Sequence, residues 1–349
     1  MRHQELPESF FARNRKQLLV RMGHNELGIV FSNPVAFRNA DQQFIYRQSS
    51  DLFYLTGITQ PESVLLIGEE VNAVGEALFI SKPDTKTELW DGHQLTTEEA
   101  QAISGIEHVF YIDDLKDVLS KLSAKTQTIL SSYALNHAVA DRWMSELLKL
   151  QPSLDRKDFG ATIAQLRVIK KPEEIQLIQK AVRITAAAFG QLLPNIQPDT
   201  REYAIEAEMI RTFIANGADG HAFDPIVASG ANSCTLHYTK NNAVMNSGDL
   251  LLLDFGAEYN GYAADMSRTV PVSGSFTARQ REVYQAVLDA QKAAIGLIKP
   301  GVTIKEINKA TGRFLEQRMV DLDLLKQSEV DNQPTDAPLY KKYFMHGTC

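Results

Sequence analysis

Hydrophobic and polar residues alternate along the first part of the chain in a pattern that predicts helices and strands in turn. Residues 9–22 space their apolar side chains as an amphipathic helix does. The apolar runs predict strands at Leu27–Phe31, Phe53–Leu55, Ser63–Ile67, Ala77–Ile80 and Thr128–Leu130, and the stretches between them predict helices at Thr97–Ile103, Leu115–Leu122 and Asp141–Leu150. This alternation is typical of an α/β domain, which we expect at residues 1–165.

A charged stretch at residues 166–174, LRVIKKPEE, separates this region from a second one. Pro172 suits the first turn of a helix because no N–H is needed there, and the glutamates that follow suit the positive end of that helix. A strand-rich block occupies residues 223–273. Further helices are predicted at Tyr203–Asn216, Ala278–Ile298 and Ile304–Arg318. We therefore predict a second domain, of the α+β class, at residues 166–349.

Two aspartates flank the strongest turn signal in the chain, Asn260-Gly261. A type I′ turn needs positive φ at both central residues, and Asn and Gly adopt it readily. In a two-residue loop, Asp254 lies opposite Ser267. Asp265, opposite Gly256, then lies on the same face as Asp254, with the two Cα atoms about 7–8 Å apart. A β-bulge would break this parity.

Carboxylates that converge in this way predict a bound ion. Beside a run of leucines the two groups repel each other and lose hydration, so the pair requires a cation or a shared proton. The alternative is that each aspartate is an ordinary turn or cap residue. Hard oxygen donors allow Mn²⁺, Mg²⁺, Fe²⁺, Co²⁺ or Zn²⁺, and oxygen-rich sites favour manganese. Two aspartates do not complete the coordination of such an ion, so other ligands are needed.

Two of the histidines are candidates for the same chemistry. His237 follows a loop signal at residues 229–232, and His346 lies in the segment FMHGTC at the end of the chain. A histidine beside metal ions can shuttle protons or stabilise a tetrahedral intermediate. The alternative for each is an ordinary histidine with a structural hydrogen bond.

Composition and charge argue against several classes of function. The chain of 349 residues has a net charge of −7 and no basic run, which argues against a nucleic-acid partner. Its two cysteines, Cys234 and Cys349, lie far apart, so we expect no disulfide framework and a reducing cytoplasm. The N-terminal residues lack the apolar core of a signal peptide, and the longest aliphatic runs are strand-sized. We therefore expect no membrane segment.

The chain resembles the aminopeptidase P and prolidase group in three segments. They are SGANSCTLHYTKN at 229–241, DFGAEYNGYAADMSRTVPVSGSFT at 254–277 and YFMHG at 343–347. Residues 38–67, RNADQQFIYRQSSDLFYLTGITQPESVLLI, are similar to the N-terminal domain of aminopeptidase P in particular. This resemblance implies an α/β N-terminal domain followed by an α+β catalytic domain with the pita-bread fold. It also implies release of the first residue from peptides with proline in second position, by a homo-oligomer (dimer or tetramer).

The resemblance further implies two divalent metal ions, most often Mn²⁺, bound by two Asp, one His and two Glu. Asp254 matches the first of these aspartates, and Asp265 matches the second, which bridges both metals. His237 matches a histidine that assists at the tetrahedral intermediate. His346 matches a second histidine near the bound substrate.

Three more residues match positions that the resemblance implies are near the substrate. Phe223 stands where the family often has a tyrosine near the metals, so a hydroxyl is missing there. Asp41 and Trp90 match residues of the N-terminal domain that can approach the site, in some cases from a neighbouring subunit.

The sequence also predicts a C-terminal truncation. The family pattern H-G-x-x-H begins at His346, and its second histidine and both glutamates would follow Cys349. We therefore expect the chain to be a fragment or a shortened relative, with weak metal affinity and little or no peptidase activity of its own. A prolidase-type dipeptidase and a catalytically inactive pita-bread protein, acting in binding or dimerisation, stay open as alternatives.

Overall fold

A computed structural model describes residues 6–72, 74–132, 138–334 and 337–344 of the chain. In chain order the helices are α1 (Glu8–Leu19), α2 (Ser50–Thr56), α3 (Thr85–Asp91), α4 (Thr97–Ser104), α5 (Leu115–Ser123), α6 (Ala138–Leu150), α7 (Gly160–Val168), α8 (Pro172–Leu192), α9 (Glu202–Ala215), α10 (Ala278–Leu297), α11 (Ile304–Asp321) and α12 (Gln327–Asp331). The strands are β1 (Glu26–Phe31), β2 (Phe37–Asn39), β3 (Gln42–Gln43), β4 (Val64–Ile67), β5 (Glu76–Ile80), β6 (Val109–Tyr111), β7 (Thr128–Ser131), β8 (Asp155–Asp158), β9 (Gly220–His221), β10 (Ile226–Ser229), β11 (Leu250–Phe255), β12 (Ala257–Tyr259), β13 (Tyr262–Ala263) and β14 (Met266–Pro271).

The chain forms two compact units. The first unit comprises residues 1–190, 209–224 and 255–266, and the second comprises residues 191–208, 225–254 and 267–349. The domain boundary between residues 165 and 166 stays a prediction. Within the described ranges, no helix is both long enough and apolar enough to cross a membrane.

The first unit is built on a mixed sheet with the strand order β6-β5-β4-β1-β7-β8. Strand β1 pairs antiparallel with β4 and parallel with β7. All four residues of β4 are buried. A strand that is covered on both faces has an unbroken run of apolar residues rather than alternating apolar and polar ones. Val64–Ile67 is such an unbroken run.

Helices cover both faces of this sheet. Leu65 and Ile67 pack into a core with α1, α2, α4 and α7. Val64 and Leu66 pack into a second core with α5 and α6. The division follows from the alternation of side chains along a strand. The α/β architecture predicted for the N-terminal domain is thereby confirmed.

The sequence prediction is wrong at Phe53–Leu55, which belongs to helix α2 and not to a strand. The Ser49 side chain caps the helix by accepting a hydrogen bond from the N–H of Leu52, and Gly57 ends it with a φ of 73°. Leu52 and Leu55 are both fully buried and lie three residues apart, on one face of the helix. A three-residue apolar run does not distinguish a strand from a helix, whereas the serine and glycine at its ends favour the helix.

The second unit contains the sheet β10-β11-β14 and the helices α10 and α11, which pack against each other. Each helix is preceded by a threonine, Thr277 or Thr303, that forms a capping box with the first turn. The predicted helices at Tyr203–Asn216, Ala278–Ile298 and Ile304–Arg318 appear as α9, α10 and α11. The mixture of strands and helices predicted for the C-terminal domain is thereby confirmed.

Candidate active site

The turn predicted at Asn260-Gly261 is present in the first unit. The φ angles are 50° at Asn260 and 75° at Gly261, the left-handed values that a type I′ turn requires. Tyr259 lies opposite Tyr262, so the loop has two residues. The predicted hairpin is therefore confirmed at its tip.

Gly256 lies directly against the neighbouring strand of the hairpin. A Cβ atom built on it would lie 1.7 Å from the carbonyl oxygen of Ala264 and 3.2 Å from the backbone nitrogen of Asp265. Only glycine fits such a close backbone approach. The backbone at Asp265 thus runs beside Gly256, as the predicted register requires, and the Asp265 residue is exposed.

Asp254 follows the leucine run of strand β11 in the second unit. Side chains alternate along this strand, so that Leu251 and Leu253 are fully buried and Asp254 lies on the other, half-buried face. The Asp254 residue is half-buried there, with its Oδ1 atom shielded from solvent, while the leucines fill the core. Because Asp254 belongs to the second unit and Asp265 to the first, the convergence of the two carboxylates stays a prediction.

The chemistry of these two donors fits a hard divalent cation, because both are carboxylates. In the parts of the chain that the structure describes, no group of three or more His, Cys, Asp or Glu side chains is arranged to hold a metal ion. His346 lies outside the described residues. The aspartates therefore fit as part of a ligand set and do not form a complete one.

His237 lies on a loop of the second unit, and the residue is exposed. The loop follows strand β10 and opens with a 3-10 turn at Gly230–Cys234. Tyr238, the next residue after His237, is half-buried. Its hydroxyl donates a hydrogen bond to the carboxylate of Glu202 over 2.8 Å.

Glu202, the first residue of helix α9, binds this loop at several points. Glu202 is fully buried. Its Oε1 accepts hydrogen bonds of 2.7 Å from both the backbone nitrogen and the hydroxyl of Ser229. Its Oε2 accepts the hydrogen bond from Tyr238 and a further one of 2.9 Å from the backbone nitrogen of Ala243. The Glu202 carboxylate thus connects α9 to Ser229 and Ala243, which lie on either side of His237 in the sequence.

The hydrogen bonds keep Glu202 ionised in spite of its burial. Burial alone would raise the pKa of this carboxyl, but the bonds from Ser229, Ala243 and Tyr238 outweigh it and hold the pKa below its usual value. Burial, and next the hydrogen bond to Glu202, raise the pKa of Tyr238. Sequence reasoning missed Glu202, because its partners lie 27 to 41 residues away along the chain and form no local motif.

The remaining predicted residues all lie in the first unit. Phe223 is half-buried just after strand β9. Asp41 is exposed at the turn between β2 and β3. Trp90 is 78% exposed on helix α3. Their approach to a common substrate stays a prediction.

A second buried carboxylate braces the hairpin inside the first unit. Glu258 of β12 is 7% exposed, and both of its oxygens accept from Nε of Arg47, at 2.8 and 3.1 Å. Burial raises the pKa of Glu258, although the charge of Arg47 opposes this shift. On the opposite strand, the hydroxyl of Tyr262 donates to Glu174 over 3.0 Å. These contacts fix the strands that lead to Asp265.

The two parts of the chain match two known domain families. Residues 176–349 match metallopeptidase family M24, and residues 11–130 match the N-terminal domain of aminopeptidase P. Over 344 residues the chain is 35% identical to the Xaa-Pro aminopeptidase of Haemophilus influenzae. This alignment covers 98% of this chain and 79% of that protein. Over 352 residues it is 32% identical to the Xaa-Pro aminopeptidase of Escherichia coli, with the same two shares covered.

Solved structures agree with this relationship. The aminopeptidase PepP of Pseudomonas aeruginosa superimposes with a TM-score of 0.87 at 32% identity, covering 92% of this chain and 75% of that one. A zinc-substituted Escherichia coli aminopeptidase P in complex with product gives a TM-score of 0.86 at 32% identity, covering 93% and 76%. The family matches, the relatives and the fold thus show that the chain is a member of metallopeptidase family M24 with a pita-bread catalytic domain. Within that family, the chain belongs to the aminopeptidase P group.

Proposed function

We propose that this chain has the fold and site of an Xaa-Pro aminopeptidase, an enzyme that hydrolyses the peptide bond between an N-terminal residue and a proline in second position. The observation that carries the proposal is the match to both aminopeptidase P domains, at residues 11–130 and 176–349. Proline forms a tertiary amide without an N–H, so a peptidase that acts before proline needs a dedicated site.

In this proposal Asp254 and Asp265 are two of the ligands of two divalent metal ions, most often Mn²⁺. When bound, such ions lower the pKa of a water molecule and stabilise negative charge on the carbonyl oxygen. The half-buried position of Asp254 and the close packing of Gly256 against the backbone at Asp265 support these roles. Both side chains provide the hard oxygen donors that Mn²⁺ favours.

The histidines and three further residues would act on the substrate itself. His237 would stabilise the tetrahedral intermediate, for which its exposed position on a firmly held loop is suitable. His346 would contact the bound substrate. Phe223, Asp41 and Trp90 would line the path of the peptide.

The proposal extends to the assembly and the compartment. The exposed position of Trp90 is compatible with contact to a neighbouring subunit in a homo-oligomer, either a dimer or a tetramer. Two cysteines that are far apart in the sequence favour the reducing cytoplasm. We place the boundary between the N-terminal and catalytic domains at residues 165 and 166.

A titration of Mn²⁺ into the purified chain, followed by electron paramagnetic resonance, tests the metal ligands. We expect Asp254→Asn and Asp265→Asn each to weaken Mn²⁺ binding by roughly tenfold or more, because each change removes a charged donor. Hydrolysis of an Xaa-Pro tripeptide and of an Xaa-Pro dipeptide is measured on the same samples. Preference for the tripeptide supports the aminopeptidase, and preference for the dipeptide supports a prolidase.

Asp199→Asn is the matched control for these variants. Asp199 is exposed in the second unit, and its φ of 68° is one that asparagine adopts as easily as aspartate does. We expect this variant to bind Mn²⁺ as the unaltered chain does. The proposal is wrong if Asp254→Asn and Asp265→Asn also bind Mn²⁺ with unchanged affinity.

A further inference from the structure

We propose that Glu202 is a positioning residue whose buried carboxylate fixes the loop of residues 230–240, and thereby the place from which His237 reaches the substrate. We refer to residues 230–240 as the His237 loop. The inference rests on the proposed function, because it assigns a catalytic task to His237.

The two oxygens of Glu202 hold the His237 loop from both sides. Oε1 binds Ser229, the residue immediately before the loop, through two hydrogen bonds of 2.7 Å. Oε2 binds Tyr238, the immediate neighbour of His237, over 2.8 Å. The position of the His237 backbone therefore depends on a carboxylate that does not belong to the loop.

Hydrogen bonds from Asn232, a residue of the loop itself, reinforce this attachment. The side-chain amide of Asn232 donates to the hydroxyl of Tyr238 over 3.0 Å and to Oε1 of Glu202 over 3.3 Å. The hydroxyl of Tyr238 thus accepts one hydrogen bond and donates another. Networks of this kind hold a single arrangement only when every member is paired.

Only a carboxylate satisfies all of these donors. Both oxygens of Glu202 receive a backbone N–H, from Ser229 on one side and from Ala243 on the other. A glutamine would turn its NH₂ group toward one of these N–H groups, whichever way its amide is oriented. One buried backbone donor would then lack an acceptor, a loss that proteins tolerate poorly.

Asn241, the residue immediately after the His237 loop, forms hydrogen bonds that do not involve Glu202. The side chain of Asn241 is buried, accepts a hydrogen bond of 2.9 Å from the backbone nitrogen of Val227 and donates one of 2.8 Å to the carbonyl of Pro225. It also donates over 2.9 Å to Glu206, one turn after Glu202 on α9. Glu206→Gln keeps an oxygen acceptor for Asn241 and removes the same charge, so it is a matched control.

Hydrogen exchange followed by mass spectrometry on the full chain tests the positioning role. We expect Glu202→Gln to accelerate amide exchange in the His237 loop by roughly tenfold to a hundredfold, as loss of charged hydrogen bonds implies. Tyr238→Phe removes one of these bonds and should give a smaller acceleration in the same peptides. Glu206→Gln should leave the loop unchanged, and helices α10 and α11 should exchange normally in all three variants.

Two outcomes of this experiment would overturn the proposal. The first is a His237 loop whose exchange is unchanged in Glu202→Gln. The second is a uniform acceleration that includes α10 and α11, because that result describes a general structural role. If Glu202→Gln does not fold, Tyr238→Phe decides, and an unaltered loop in that variant contradicts the proposal.

A kinetic cycle with His237→Ala separates this inference from the proposed function. If Glu202 acts through His237, Glu202→Gln lowers kcat when His237 is present. It causes no further loss of kcat when residue 237 is already alanine. Additive losses would show that Glu202 does not act through His237. Unchanged Mn²⁺ affinity in Asp254→Asn and Asp265→Asn contradicts the proposed function, while the exchange experiment still decides the role of Glu202.

Discussion

At the scale of single residues, the first unit depends on one buried cation. Arg15 of α1 is fully buried, and its guanidinium forms hydrogen bonds of 2.7 and 3.1 Å with the carboxylate of Glu76. The same side chain donates to the carbonyl oxygens of Leu55 and Ser104 over 2.8 and 2.9 Å. The planar fork of arginine suits this set of acceptors, which joins α1 to β5, α2 and α4.

We expect Arg15→Met to lower the free energy of unfolding by roughly 3–5 kcal/mol, because it leaves Glu76 without its buried partner. Urea unfolding followed by tryptophan fluorescence measures this change. Arg13→Met is the matched control on the same helix. The side chain of Arg13 is half exposed where it pairs with Glu173, so its loss should cost less than about 1 kcal/mol. Equal losses in the two variants would contradict this account.

At the scale of elements, the hairpin that bears Asp265 depends on the close approach at Gly256. An added methyl group would overlap the backbone oxygen of Ala264, which cannot move without breaking the pairing of the strands. We expect Gly256→Ala to destabilise the first unit by roughly 2 kcal/mol or more, as overpacking against backbone does. Urea unfolding followed by tryptophan fluorescence measures this effect.

Gly190 provides the opposite case in helix α8 of the same unit. A Cβ atom there meets no atom within 4 Å. Because alanine favours a helix over glycine, Gly190→Ala should raise the free energy of unfolding by about 0.5–1 kcal/mol. An equal loss of unfolding free energy in Gly190→Ala and Gly256→Ala would mean that the close contact at Gly256 does not cause the destabilisation.

Elements could be predicted where neighbouring residues in the sequence determine them. Elements that depend on contacts between distant residues were harder to predict. Asn260 and Gly261 define their turn by themselves, so the hairpin tip could be predicted from two residues. Strand β8, Asp155–Asp158, was missed because all of its residues are exposed and polar, and only its pairing with β7 makes it a strand. Glu202 was missed for a related reason, since its hydrogen-bond donors come together only in the folded chain.

At the scale of the whole molecule, the two units can be followed separately. The two tryptophans, Trp90 and Trp143, both lie in the first unit, so tryptophan fluorescence follows the unfolding of that unit. Trp143 is 5% exposed and should change its emission strongly when the unit unfolds. Far-UV circular dichroism follows the helices of both units. The combination distinguishes the pH responses of Glu258 in the first unit and of Glu202 in the second.

We expect the two glutamates to respond to pH with opposite signs. The pKa of Glu202 is below its usual value of 4.5 in the folded chain, so its contribution to stability is present above that value and is lost as the pH falls through the folded pKa. The pKa of Glu258 is raised above 4.5, so its contribution is present at low pH and is lost as the pH rises through the folded pKa. Urea midpoints measured between about pH 3 and pH 7 test both signs.

Glutamine variants separate the two contributions, because glutamine does not titrate. Glu202→Gln should lose less stability than the unaltered chain as the pH falls from about 5 to about 3, seen in the circular dichroism transition. Glu258→Gln should lose less stability than the unaltered chain as the pH rises from about 4 to about 7, seen in fluorescence. Variants that follow the unaltered chain in parallel over both intervals would contradict the ionisation states argued for these carboxylates. Opposite slopes would mean that acid loosens the unit that carries His237, whereas ionisation of Glu258 weakens the unit that carries the hairpin tip.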